Sequence, residues 1–139
     1  MFSWSGFSVV IVFPRFPHLS RKMENDGIIG IHMPNQYGIS EEDEKEIRAR
    51  DKACVYCHIS MKQYPHTRSA AGATIEHFNN GGPFDKKYNV GMCCRRCNSS
   101  KGTKRLLAWF KSDYCKEQNI NAETVAEAVK EYLELEKPS

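Results

Sequence analysis

The chain has 139 residues, 40% of them hydrophobic and 27% charged, with a formal net charge of +3. This balance excludes the intrinsically disordered class, and the length allows one compact unit with a modest core. The one strongly apolar run, "SVVIVF" at Ser8–Phe13, is far shorter than the roughly 20 residues of a membrane-spanning helix, so no membrane span is expected.

At the N-terminus, "PRFPHLSRK" follows the apolar run and Met23 reads as an alternative start. Residues 1–22 are therefore an edge strand or a leader dispensable for the fold. No basic region followed by a small-residue cleavage site is present, so a reducing, cytoplasmic setting is favoured. In such a setting close cysteine pairs more often hold metal than form disulfides.

Ile39-Ser40 followed by "EEDEKEIRARD" predicts a helix over about 41–51, with Ser40 as its cap and acidic residues in the first turn. "ACVYCH" ends it and carries the first cysteine pair. "MKQYPHTRSAAG" lacks periodicity and reads as a loop, whereas Ala73–Phe78 is a short strand. The turn formers "NNGGPFDKK" lead to a second strand at "YNVGM", so a hairpin with a long loop is expected. Beyond Cys97 the pattern becomes helical, and Leu106, Leu107, Phe110 and Tyr114 predict a helix over about 98–114. A last helix is expected after Asn121, with Ile120 stapled against Val125 and a stripe of Val125, Val129, Tyr132 and Leu133.

Cys54-x-x-Cys57 and Cys94-x-x-Cys97 form two knuckles. Each turn directs two thiolates at one point, and two turns supply the tetrahedral sulfur set of a structural Zn²⁺ site. Disulfides or a redox motif are the alternatives, and His58 is a substitute ligand. Cys93 and Cys115 read as small buried hydrophobes. The stretch Lys86–Lys111 holds eight basic residues and no acidic one, which points to a polyanionic partner unless it is only a solvated helix face.

The segment from Ile47 to Phe110 resembles the HNH endonucleases with a zinc-bracketed core. The resemblance lies in "TIEHFNNGG", then "YNVGM", then "CRRCNSSKG": an acidic residue and His ending the first strand, an Asn opening the second, and CxxCN then KG entering a helix. It implies an α+β, treble-clef-like ββα-metal fold, with an N-terminal extension at 1–38, a nuclease domain at 39–115 and a packing helix in 116–139. It implies metal-dependent hydrolysis of DNA, leaving 5′-phosphate and 3′-hydroxyl ends, with His77 as general base. Glu76 and Asn98 would hold a catalytic Mg²⁺ or Mn²⁺, and Asn89 would hold the loop that aims His77. Arg96, Lys101, Lys104 and Arg105 would contact DNA.

The residue chemistry agrees: imidazole is largely neutral near pH 7, and carboxylate and amide oxygens suit a hard ion. Departures from the family are Asn at position 98 where many members have His, Glu rather than Asp at 76, and Gly102 where some relatives place a third ligand. Adjacent residues face opposite sides of a regular strand, so Glu76 and His77 can serve one site only where the strand twists or ends. The rival reading is a zinc-containing nucleic-acid-binding module without turnover, and a zinc-stabilised protein-interaction domain is a third. High base specificity would need a partner or a second copy, because the domain is small.

Overall fold

A computed structural model describes residues 35–138. The strand or leader expected over 1–22, and most of the expected extension 1–38, lie outside the described residues.

Helix α1, Glu41–Arg50, starts where the sequence predicts. Ser40 is extended, and its Oγ accepts the Asp43 N–H at 3.0 Å. The acids Glu41, Glu42, Asp43 and Glu44 occupy the first turn, where the helix dipole favours them. Only Ile47 of the helix is buried, so α1 needs polar anchoring as well. Asp51, just past its end, supplies this: it takes a forked pair of bonds from Arg50 at 2.6 and 2.7 Å and accepts the Met92 N–H at 2.9 Å.

Met92 lies in strand β2, Val90–Cys94, which pairs antiparallel with β1, Ala73–His77, in the register Ala73↔Cys94 to His77↔Val90. The second strand begins two residues later than "YNVGM" predicts, because Lys87–Asn89 forms a 3₁₀ turn. All five β2 residues are buried. Gly91 is needed there, since a Cβ would lie 2.7 Å from the Phe78 ring.

The single helix predicted over 98–114 is instead three short ones: α2 Arg95–Lys101, α3 Leu106–Trp109 and α4 Asp113–Glu117. Gly102 ends α2 at φ +53°, a conformation that glycine adopts without cost. Ser112 is extended and caps α4, its Oγ accepting the Cys115 N–H at 3.3 Å. The last helix, α5, spans Glu127–Leu135 and starts later than predicted. Asn121 caps only a turn, with Oδ1 accepting from Glu123 and Thr124 N–H. Val125, Val129 and Tyr132 are buried as expected, and Leu133 is partly so.

Aromatic rings link the parts of the core. Tyr56 meets Trp109 edge-on at 4.8 Å and Phe78 at 6.3 Å, and Phe78 reaches Tyr132 at 5.4 Å. This chain of rings joins the first cysteine turn, α3, the end of β1 and α5, and burying each such side chain contributes about 1.5–3 kcal/mol. Among the described residues no helix is long and apolar enough to cross a membrane.

Candidate metal centre and hairpin site

Cys54 and Cys57 sit on a tight turn in which His58 adopts φ +61° and donates its N–H to the Cys54 carbonyl at 2.9 Å. The His58 ring is engaged elsewhere, its Nε2 against the Thr124 carbonyl. Cys94 is at once the last residue of β2 and the cap of α2, and Cys97 lies in the first turn of that helix. The four sulfurs lie within 4.8 Å of one another, with Cys57 and Cys94 separated by 3.8 Å. Tetrahedral geometry with Zn–S bonds of about 2.3 Å requires an edge of about 3.8 Å, so the donor set and its spacing fit a zinc ion.

All six cysteines are free thiols. Their ionisation is in conflict within the cluster. Hydrogen bonding, first with Cys54, holds Cys94 down at about 6 and Cys57 below the usual thiol range. Cys54 is pushed up, first by Cys57, and Cys97 is pushed up, first by Cys54. A divalent ion would remove the conflict, because coordinating thiols are deprotonated outright. Cys93 and Cys115 are buried outside the cluster.

Alternation along β1 places Thr74 and Glu76 on one face, and α2 lies over it. Asn98 donates Nδ2–H to Thr74 Oγ1 at 2.9 Å, and Lys101, one turn later, sets its Nζ 2.7 Å from Glu76 Oε1. The Glu76 and Lys101 side chains are 4% and 0% exposed. Tyr56 Oη–H points at the same carboxylate oxygen from 3.4 Å, and Lys101 Nζ also reaches the His77 carbonyl at 3.2 Å. Burial pushes the Glu76 carboxyl up, and the Lys101 ammonium opposes the shift.

His77 ends β1. Its ring meets Phe84 edge-on at 5.4 Å, and its Nε2 is buried without a hydrogen-bond partner among the described residues. No hydrogen bond joins the His77 side chain to Glu76 or Asn98 among the described residues. Asn89 is fully buried and clasps the loop between the strands. Its Oδ1 accepts the Asn79 N–H at 2.7 Å, and its Nδ2 donates to the Asn79 and Pro83 carbonyls, both at 3.0 Å.

Arg96, Lys104 and Arg105 are exposed. Lys101, grouped with them on the sequence, is fully buried instead. Thr74, Tyr56 and Tyr114 join these sites without having been singled out as site residues from the sequence. Two of the contacts carried a signal: Thr74 lies two residues before Glu76 on a strand, and Lys101 lies three after Asn98 on a helix, so each shares a face with its partner.

These elements define a small α+β protein in which a two-stranded antiparallel hairpin and a short helix are joined at a four-cysteine cluster that fits zinc. No protein-family profile matches the sequence. No curated protein matches it either. Among solved structures it is similar to the type II-C Cas9 enzyme from Actinomyces naeslundii, with 24% identity and a TM-score of 0.43 over 64% of this chain and 8% of that one. The chain thus spans less than a tenth of that enzyme's length.

Proposed function

We propose that the protein is an HNH-type endonuclease, with a ββα-metal core made of β1, β2 and α2, that hydrolyses DNA phosphodiester bonds with the aid of one divalent ion. The observation that carries this reading is the orphaned Nε2 of His77 at the end of the hairpin. Leaving a buried polar atom without a partner costs about 1–3 kcal/mol, and the cost is recovered where a water or substrate atom completes the bond. A neutral imidazole with that nitrogen free accepts a proton from the attacking water. Asn89 ties Asn79 and Pro83 into a fixed loop that follows His77, and Phe84, next in that loop, packs edge-on against the His77 ring.

Glu76 and Asn98 are the oxygen donors suited to Mg²⁺ or Mn²⁺, and Asn98 spends its amide nitrogen on Thr74, leaving Oδ1 for a ligand. The ion, when bound, supplies positive charge for the phosphate and the leaving oxygen. Lys101 neutralises the Glu76 carboxylate and so belongs to the interior of the site, while Arg96, Lys104 and Arg105 remain the candidates for DNA phosphate contacts. The four-cysteine zinc site is structural, being closed by four protein ligands, and its thiolates suit a reducing compartment such as the cytoplasm.

The commitment of Glu76 to Lys101 favours a second reading, a zinc-containing nucleic-acid-binding module without turnover, because that pairing occupies the carboxylate. Plasmid nicking separates the two. Cleavage that requires added Mg²⁺ or Mn²⁺ and is lost in His77→Ala, while salt-sensitive DNA binding persists, is expected of the nuclease. Binding without cleavage by the unsubstituted protein leaves the module, and the absence of both refutes both readings.

A further inference from the structure

We propose that Tyr114 is a positioning residue of the zinc centre, donating a hydrogen bond to the Cys97 sulfur. The inference rests on the four-cysteine cluster holding zinc and is independent of the nuclease reading.

A zinc ion with four thiolates carries a net charge of about −2, and such a centre in a protein interior needs donors directed at its sulfurs. Within the chain, Cys94 has one, the Cys97 N–H at 3.5 Å. Cys97 has another: the Tyr114 hydroxyl lies 3.3 Å from its sulfur. The direction of that bond follows from chemistry, since a metal-bound thiolate has no proton and the phenol must donate. The hydroxyl supplies the one O–H donor of the pair.

The ring is held in place by stacking on Trp109, at 6.2 Å between centroids and 22° between planes, and Trp109 is itself fully buried and tied to Ser100 at 3.0 Å. The break between α3 and α4 is what brings Tyr114 to the cluster: Ser112 starts a new helix whose second residue is Tyr114.

The test compares the full chain with Tyr114→Phe, which keeps the stacked ring, and Tyr114→Leu, which loses ring and hydroxyl together. Zinc transfer to a chromogenic chelator is followed in each, along with the sulfur-to-cobalt charge-transfer band of the Co²⁺-loaded protein. Tyr114→Phe is expected to weaken zinc binding by roughly 10-fold or more and to move the cobalt band to lower energy, because a thiolate without its donor is a better electron source. A Tyr114→Phe protein with unchanged affinity and an unchanged band overturns the proposal, and if only Tyr114→Leu then weakens binding the ring acts by packing alone. Absence of any cobalt–thiolate band in the unsubstituted protein overturns the metal centre and the proposal with it.

Discussion

Replacing Lys101 by methionine removes one charge from a buried pair while keeping most of the side-chain volume. The ammonium is 2.7 Å from Glu76 Oε1, and neither side chain has appreciable contact with solvent. At an effective dielectric constant of about 20, two unit charges at that distance attract by about 6 kcal/mol. Desolvating each ion costs several kcal/mol, so the intact pair is close to neutral for stability. Its rupture is not neutral. Among the described residues, Lys101→Met leaves the buried Glu76 carboxylate with the 3.4 Å Tyr56 contact alone, and a loss of about 3–5 kcal/mol is expected. That is a large share of the 5–15 kcal/mol by which domains are ordinarily stable. Adding Glu76→Gln removes the uncompensated charge, so the double variant is expected to recover at least 2 kcal/mol relative to Lys101→Met. Urea unfolding of the four proteins, with zinc held constant, measures the cycle. A loss below 1 kcal/mol in Lys101→Met, or a double variant that loses the sum of the two single losses, would refute the buried pair.

Asn89→Ala removes three hydrogen bonds at 2.7–3.0 Å and is expected to cost about 3 kcal/mol in urea unfolding, at about 1 kcal/mol each. Asn89→Asp keeps the acceptor but turns the two donor contacts into carboxylate facing carbonyl, so a comparable loss is expected, and an Asp variant within 1 kcal/mol of the parent would show that the amide donors do not hold the loop. Gly91→Ala drives a methyl to 2.7 Å from a Phe78 ring that is 1% exposed and locked in the aromatic chain, and thermal unfolding is expected to register about 1–3 kcal/mol of overpacking. An unchanged melting temperature would mean that the ring moves aside freely.

Much of the chain is legible where a local rule decides the structure. Ser40 starts α1 because its hydroxyl meets the Asp43 N–H, and the paired CxxC spacings converge because each turn aims two sulfurs one way. The breaks between α2, α3 and α4 are less legible. Of the predicted face, Leu106 is buried and Phe110 and Tyr114 partly so, whereas Leu107 is 61% exposed; Trp109 is buried in its neighbourhood instead. Periodicity records most of the side chains that face inward and says little about whether the backbone between them is continuous. The true signals were Gly102 and Ser112, each an ordinary residue in a run that otherwise reads as helix. Lys101 was hidden for a different reason. One lysine in a basic run has no mark of burial, because the carboxylate that permits it lies on another element. The side-chain roles of Asn89 and Asn98 follow from the hairpin register together with the position of α2, which only the folded chain brings together.

Cys94 ends a strand, caps a helix and belongs to the sulfur cluster, so nothing intervenes between β2 and α2. One residue inserted at this joint would rotate every later helical position by about 100°, swinging Asn98 away from Thr74 and Lys101 away from Glu76. Length changes are thus forbidden at the joint, whereas Asp85 and Lys86, exposed on the far side of the hairpin, have room for them. Lineages carrying this scaffold should vary in the span of that outer stretch and keep the strand-to-helix seam invariant in length.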